Sequence, residues 1–414
     1  MAATDIHRAI DALWRIESPR LIGALARLTR DVGRAEELAQ DALEAALRQW
    51  PESGVPDRPG AWLMATARRR AIDGFRRDSM IERKHRQIAH EEEGFDPKIE
   101  EAIDDDLGDD LLPLLFVSCH PLLSPEARVA LTLRLLGGLA TDEIARAFLV
   151  PEPTVAQRIV RAKRTLADAN VPFEVPHGAE RAERLASVLS VIYLIFNEGY
   201  SATAGEDWVR PALCEDALRL GRILAGRLAE EAEVHGLVAL MELQASRLKA
   251  RTRPNGETVL LLDQNRAQWG RMLIGRGLAA LDRAEKAGPR GPYTLQAAIA
   301  ACHARARTAE ETDWIRIAAL YAALAEAMPS PVVELNRAVA LGMALGPGAG
   351  LEHLDGIADA PSLKSYHFLP AARGDLLARL GRSEEARAEF ERAAALARND
   401  RERKQLLDRA AALR

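Results

Sequence analysis

Segment 141–166 restricts the possible folds more than any other part of the sequence, because two helical patterns lie in it with only a short break between them. The first pattern spans 141–149, and Thr141 suits the capping position before a helix. The second pattern spans 154–166, and Pro153 suits the first turn of a helix. Two helices joined by so short a break predict a helix-turn-helix motif.

The second helix of this motif has two different faces. Its cationic side carries Gln157, Arg158, Arg161 and Arg164. Its apolar side carries Val155, Ile159, Ala162 and Leu166. A helix that packs on one face and presents cations on another is suited to the major groove of DNA. A basic helix that is only solvated explains the same residues, so this pattern alone leaves both interpretations open.

Composition favours helices in the rest of the chain. Aromatic residues make up 5% of the 414 residues and apolar residues 48%, so alanine and leucine supply most of the core, as in packed helices. The length predicts two or three domains. We therefore expect an all-α protein. The net charge of −5 excludes a chain that is basic throughout, so any contact with nucleic acid must come from local patches.

Two parts of the chain precede the helix-turn-helix pattern. Residues 1–80 are predicted to form a helical domain, in which the proline-rich loop 51–59 separates one helix from the next, over 61–77. Residues 81–111 are strongly acidic and poor in apolar residues, which favours a solvated linker. The alternative is a negatively charged strap that lies in a basic groove of a partner.

We assign the motif to a second helical domain over 112–170, and 171–414 to a helical extension. Near the end of the extension, small and apolar residues follow the spacing of a tetratricopeptide unit. These residues are Gly374, Leu377, Gly381, Ala386, Phe390 and Ala393. Helices predicted over 314–328 and 332–345 are weaker candidates for the same repeat. Because such units must stack on one another, we expect a TPR-like helical repeat domain.

Little in the sequence suggests cofactor or metal chemistry. Cys119, Cys214 and Cys302 lack the spacing of a disulfide framework or a zinc site, and the glycine-rich stretch 345–350 lacks the Lys-Ser/Thr of a phosphate-binding loop. We expect no cofactor, no metal and no enzymatic activity. The stretch 196–200 is the best candidate for a concealed polar site, although a helix end closed by glycine is the preferred interpretation.

The sequence also predicts a location in the cell. The amino-terminal residues carry charges throughout and lack the apolar run of a signal peptide. No apolar run of about 18 residues, the length that spans a bilayer, occurs in the chain. We therefore expect a soluble, cytoplasmic protein without a membrane partner.

Three segments, taken in order, resemble the extracytoplasmic-function (ECF) sigma factors of bacterial RNA polymerase, which belong to the sigma-70 family. They are 31–43, 62–73 and the helix-turn-helix that ends with 161–166. Three later segments resemble the subgroup with a long TPR-like C-terminal extension. They are 193–200, 263–269 and 331–339.

The resemblance implies partners for the first domain, which would be sigma region 2. Glu36, Glu37, Leu38 and Asp41 would bind the β′ clamp helices of the polymerase core. The next helix would melt and hold the minus-ten element of the promoter. Its implied contacts are Trp62, Arg68, Arg69, Arg70, Arg76 and Arg77. Opened strands need cations for phosphate and a planar surface for unstacked bases, which agrees with these residue types.

The resemblance also implies that the second domain is sigma region 4. It would bind the β flap and read the minus-thirty-five element. The implied contacts are Thr154, Gln157, Arg158 and Arg161 near the bases, and Lys163 and Arg164 near phosphate. At the turn, sigma factors of this class commonly have glycine where this chain has Leu149, so we expect a reshaped turn.

Two functions follow from these features. The first is an alternative sigma factor that directs polymerase core to specific promoters, with activity modulated by a C-terminal extension that docks within the molecule. The second is a one-component helix-turn-helix regulator with a TPR-like sensor domain. A regulator has no need for an arginine-rich helix after Trp62 or for two DNA-contacting domains joined by an acidic segment, so we prefer the sigma factor.

Overall fold

The protein is helical in both of its compact units. The computed structural model describes residues 3–86, 110–201, 209–253, 257–397 and 399–413, with the backbone alone for 3–5 and 74–86. No strand occurs among these residues, which confirms the predicted all-α class. The two units are Met1–Val191 and Ile192–Arg414.

The first unit consists of a three-helix module and a helix-turn-helix module. The helices are α1 (Ala3–Thr29), α2 (Val32–Ser53), α3 (Pro59–Arg86), α4 (Leu111–Ser118), α5 (Pro125–Leu135), α6 (Thr141–Phe148) and α7 (Glu152–Asp168), followed by the start of α8 (Gly178–Tyr200). Helices α1 to α3 pack against one another, with Leu25, Trp50 and Leu63 fully buried. Helix α7 packs on α5 and α6 through its predicted apolar face, of which Val155 and Ile159 are buried.

The second unit continues as a series of helices. They are α9 (Pro211–Arg227), α10 (Ala232–Ala245), α11 (Arg271–Ala287), α12 (Pro292–Arg305), α13 (Trp314–Ala327), α14 (Pro331–Ala344), α15 (Pro347–Ile357), α16 (Phe368–Arg379), α17 (Ser383–Leu396) and α18 (Asp400–Ala412). Short 3-10 turns lie between α10 and α11, at Leu248–Ala250, Leu261–Asp263 and Arg266–Gln268. One core cluster includes Leu240 and Ile317, and a second includes Phe390.

The predicted tetratricopeptide spacing corresponds to a tightly packed helix pair, α16 and α17. A Cβ atom on Gly374 would lie 2.8 Å from the ring of Phe390, so only glycine permits this approach. Gly381 occupies the turn between the helices with φ +76°, where glycine is favoured. The helices predicted upstream are also present, as α13 and α14.

Three helix boundaries differ from the sequence prediction. Helix α6 already includes Thr141, and the Glu143 side chain accepts the backbone N–H of Ala140 at 2.9 Å, so the expected Thr141 cap was wrong. Helix α2 runs through Pro51 to Ser53, because a proline in the last turn removes only one N–H. Helix α3 continues to Arg86, into the segment predicted as an acidic linker.

Most of the acidic segment, 87–109, lies outside the described residues.

The first unit extends beyond residue 170, where the sequence analysis placed the end of the second domain. In α8, the Arg184 guanidinium donates to the carbonyl of Phe116 at 3.2 Å, and the Ser187 hydroxyl donates to that of Cys119 at 2.6 Å. The start of α8 therefore belongs to the first unit.

Among the described residues, no helix combines the length and apolar character that a membrane crossing requires.

Candidate functional site

Helix α7 presents much of its predicted cationic face to solvent. Gln157, Arg161 and Arg164 are exposed, and Arg158 and Thr154 are half-buried. Arg164 lies 3.5 Å from Asp168 one turn later, an exposed pair that leaves the guanidinium accessible. The surface of α7 therefore offers hydrogen-bond donors at successive turns, which is what an interface with DNA requires.

Val160 is part of the same exposed face, and sequence reasoning did not identify it. Its side chain is 64% exposed, although valine normally packs inside. It follows Gln157 by three positions and precedes Arg161, and this spacing was the available signal. An exposed apolar group in this position can contact the methyl group of thymine.

The turn before α7 keeps the backbone conformation that glycine usually adopts. Leu149 has φ 51° and ψ 43°, in the left-handed region, so the expected reshaping of the turn was wrong. The N–H of Val150 donates to the carbonyl of Ala145 at 3.1 Å, which closes the end of α6 as a Schellman motif. The fixed helix end outweighs the strain at leucine, and α7 keeps the orientation of a helix-turn-helix.

Helix α2 starts at a defined point and presents two of its acidic side chains outward. The Asp31 carboxylate accepts N–H groups from Gly33 at 2.7 Å and Arg34 at 3.1 Å, which caps the helix. Glu37 and Asp41 are exposed, as their predicted role in binding requires. The other two predicted residues lie inside the unit, and these are Leu38 and Glu36.

The Glu36 carboxylate joins the two modules of the first unit. Its side chain is only 5% exposed, and Oε1 lies 2.6 Å from Nε of Arg134, on α5. Oε2 pairs with the Lys163 ammonium, on α7. Gln40 also donates to Oε1, at 2.9 Å. A residue predicted to bind polymerase core is thus paired with a residue predicted to bind minus-thirty-five DNA.

Further contacts between the two modules surround this ion-pair cluster. Arg15 of α1 donates to Glu143 of α6 at 2.5 Å, and Arg27 lies 3.4 Å from the buried carboxylate of Asp110. A Cβ atom on Gly23 would lie 2.9 Å from Cβ of Asp110, so the backbones approach closely at this point. The three-helix module and the helix-turn-helix module form one compact body in this structure.

Helix α3 carries the residues predicted to hold the minus-ten element. The Trp62 ring is half-buried, with its centroid 5.3 Å from that of the fully buried Trp50 in an edge-to-face contact. Arg69 is exposed and Arg68 half-buried. Arg70 lies 3.3 Å from Asp41 of α2, so the two predicted sites adjoin.

Two predicted minus-ten residues belong to the part of α3 for which only the backbone is described. They are Arg76 and Arg77, and their side chains lie outside the described residues. The predicted proline-rich loop begins at Gly54 rather than at residue 51, since α2 extends to Ser53.

A three-helix module with an arginine-bearing helix, together with a helix-turn-helix module, is an arrangement typical of DNA-binding transcription factors. Comparison with known families gives the same division. The family model for sigma-70 region 2 matches residues 13–80, and that for sigma-70 region 4 matches residues 114–166. Residues 184–285 match a family of unknown function, DUF6596.

Two of three similar proteins agree with the family models by name. An uncharacterised protein of Rhizobium meliloti strain 1021 is 46% identical over 92% of this chain and 90% of its own length. The probable ECF RNA polymerase sigma factor SigI of Mycobacterium tuberculosis is 26% identical over 42% of this chain and 60% of its own length. The ECF RNA polymerase sigma factor SigK of Mycobacterium sp. strain KMS is 28% identical over 38% of this chain and 81% of its own length.

The chain belongs to the sigma-70 family and is an ECF sigma factor with a C-terminal helical extension. As an alternative sigma factor, it directs RNA polymerase to promoters, and the one-component regulator is not favoured. Its family is that of transcription initiation factors, and its partners are RNA polymerase core and promoter DNA.

Proposed function

We propose that α7 reads the minus-thirty-five element through the exposed face described above, and this face is the observation that carries the proposal. Gln157 and Arg161 reach base edges, Val160 contacts a thymine methyl group, and Arg164 binds phosphate. Arg158 and Thr154 lie at the margin of the contact because they are half-buried. Lys163 reaches phosphate only when its pairing with Glu36 is broken.

The exposed acidic residues of α2 are the proposed contacts to the β′ clamp helices, and α4 to α7 are proposed to bind the β flap. Charge reversal by Glu37→Lys tests the first contact, since Glu37 is 69% exposed and pairs with Arg34 of the same helix, one turn away. We expect weaker binding to polymerase core with an unchanged fold. Unchanged affinity would contradict the assignment.

Helix α3 is proposed to open the promoter strands. The half-buried Trp62 ring supplies a planar surface next to the exposed Arg69, and both features suit an unstacked strand. Permanganate reactivity of promoter thymines measures opening. Normal opening by a Trp62→Ala variant that still binds the minus-thirty-five element would contradict this role.

The packed arrangement of the two modules is proposed to be a closed state. The two promoter elements are centred about 25 base pairs apart, which is about 85 Å at 3.4 Å per base pair. A compact body of about 170 residues has a radius of gyration of only about 15 Å. The modules therefore have to separate before α3 and α7 contact both elements at once, and separation breaks the ion pairs of Glu36.

A substitution at Arg134 tests this opening, because Arg134 is outside the proposed DNA contacts and its guanidinium pairs with the buried Glu36. Arg134→Gln removes one cation from the buried Glu36 and weakens the closed state by about 1–3 kcal/mol. Arg146→Gln, in α6, is the matched control, since Arg146 is exposed and pairs with Asp142 of its own helix.

Energy transfer between dyes at Arg48→Cys and Asp168→Cys reports the distance between the modules, and the three native cysteines are buried. We expect polymerase core to lower the transfer in the unsubstituted protein, and Arg134→Gln to lower it without core. Transfer that stays high with core bound would contradict the opening.

The remaining aspects of the proposal concern the whole protein. It acts in the cytoplasm, without catalysis of its own, and the C-terminal extension modulates its activity. Promoter-specific run-off transcription with purified polymerase core is the decisive experiment. Absence of specific transcripts, together with binding to an operator by the protein alone, would instead support the one-component regulator.

A further inference from the structure

The C-terminal extension contains a cavity of about 730 Å³ that the proposed sigma functions do not use. It lies among α9, the end of α10, the turns that follow, and the start of α11, and Arg401 of α18 also contributes to its wall. This volume falls within the range of sites that hold small organic ligands, about 300–1,000 Å³. The cavity lies largely within the segment that matches the family of unknown function.

The walls of the cavity are mainly apolar. Leu218 and Cys214 are buried and line one side, and Leu273 lines another. Burial raises the pKa of the Cys214 thiol to about 12, so this side chain is neutral and contributes to the apolar wall. Met272 is 68% exposed and belongs to the same lining, which extends the apolar surface to solvent.

The charged groups of the cavity are mostly basic. Arg222, Lys249 and Arg401 line it, against one carboxylate, that of Glu215. Arg222 is paired with the buried Glu242, with Nε 2.8 Å from Oε1. Lys249 is exposed and forms no ion pair with any residue that the structure describes. Its ammonium is therefore available to an anion that enters the cavity.

The segment that carries Lys249 concentrates positive charge next to the cavity. Basic residues alternate along it, at Arg247, Lys249, Arg251 and Arg253. Arg251 is buried, with its guanidinium carbon 3.7 Å from the centroid of the Tyr200 ring. Arg247 donates to the Tyr200 hydroxyl at 2.9 Å. Arg253 is paired with Glu257 at 3.4 Å, so Lys249 is the basic residue of this segment that lines the cavity and offers its charge to an anion.

We propose that this cavity binds a small organic acid with an apolar body. The carboxylate pairs with Lys249 at the open side, and the apolar part lies against Leu218, Leu273 and Met272. Binding of this ligand lets the extension respond to a small molecule. This regulatory role rests on the proposed modulation of sigma activity by this part of the chain. A neutral ligand of the same shape lacks the partner for Lys249 and binds more weakly.

Binding of decanoate to the full-length protein tests the proposal, with 1-decanol and acetate as the neutral and the short-chain comparison. Titration calorimetry below the micelle-forming concentration measures each affinity. We expect saturable binding of decanoate at one site, about 10-fold tighter than decanol and far tighter than acetate.

Two substitutions locate the binding site. Lys249→Gln removes the cation and is expected to weaken decanoate binding by about 5- to 20-fold, with little effect on decanol. Met272→Glu places a negative charge at the exposed apolar edge and is expected to weaken decanoate binding at least as much. Lys286→Gln on α11 is the matched control, because Lys286 is exposed and lies outside the cavity lining.

Several results would overturn the proposal. The first is absence of saturable decanoate binding, and the second is an affinity for decanol equal to that for decanoate. The third is a decanoate affinity that is the same in the Lys249→Gln and Lys286→Gln variants. Calorimetry does not depend on polymerase, so a negative result leaves the sigma function intact. Conversely, failed run-off transcription with normal decanoate binding would contradict the proposed sigma function and leave the cavity assignment in place.

Discussion

At the scale of single residues, Leu149 bears a conformational strain that can be measured. A left-handed conformation costs a residue with a Cβ atom about 1–2 kcal/mol, and Leu149 is 52% exposed, so its side chain contributes little packing. We expect Leu149→Gly to raise the free energy of unfolding by about 1 kcal/mol. Leu149→Ala is the control, because alanine loses the same exposed side chain but keeps the Cβ. Chemical denaturation compares them, and equal stabilities of the two variants would refute the strain.

His303, also a single-residue case, predicts a dependence of stability on pH. Burial, reinforced by Arg247 and Arg266, lowers its pKa from 6.5 to about 3. Between these values the unfolded chain binds a proton that the folded protein does not, so stability falls as pH decreases below 6.5. The contribution reaches about 1.4 kcal/mol per pH unit.

The substitution His303→Phe removes this contribution and keeps a ring against Trp314, whose centroid lies 5.2 Å away. Urea unfolding between about pH 7 and pH 5 should therefore give a shallower loss of stability in the variant. All other titrating groups are common to both proteins and cancel in the comparison. Parallel stability curves would show that His303 does not titrate as described.

At the scale of elements, the recognition helix makes a prediction about promoter binding. Arg161→Ala should weaken binding to the minus-thirty-five element by about 1–3 kcal/mol if the guanidinium contacts a base with two hydrogen bonds. Arg164→Ala should weaken binding to all sequences alike and reduce its salt dependence. Arg387→Ala, exposed on α17, is the control for loss of a surface charge. Fluorescence anisotropy with matched and mutated promoter DNA measures these effects. If the Arg161→Ala variant discriminates between the two DNAs as well as the unsubstituted protein does, Arg161 does not contact a base.

The sequence predicted elements where local chemistry decides the conformation. The start of α7 at Pro153 and its two different faces depend on residues only a few positions away. The same holds for the glycine spacing around Gly374. Pro51 misled the prediction because a proline near the end of a helix costs little. The pairing of Glu36 with Arg134 was beyond prediction, because it joins residues 98 positions apart and depends on the packing of two modules.

At the scale of the whole molecule, the extent of the first unit decides where the extension can be removed. A fragment that ends at residue 176 loses Arg184 and Ser187. Their hydrogen bonds to the carbonyl groups of Phe116 and Cys119 each contribute about 1 kcal/mol. A fragment that ends at Val191 keeps them. We expect residues 1–191 to be at least about 2 kcal/mol more stable than residues 1–176, as measured by denaturation.

The longer fragment then tests modulation by the extension without damage to the sigma modules. If the extension controls activity, residues 1–191 should direct transcription from the same promoter with a changed output in cells, while run-off transcription in vitro shows that promoter recognition is retained. The shorter fragment is an unsuitable test, because its loss of activity would reflect instability of the first unit. If residues 1–191 and the full chain give the same transcriptional output and the same regulation in cells, the regulatory role of the extension has to be abandoned.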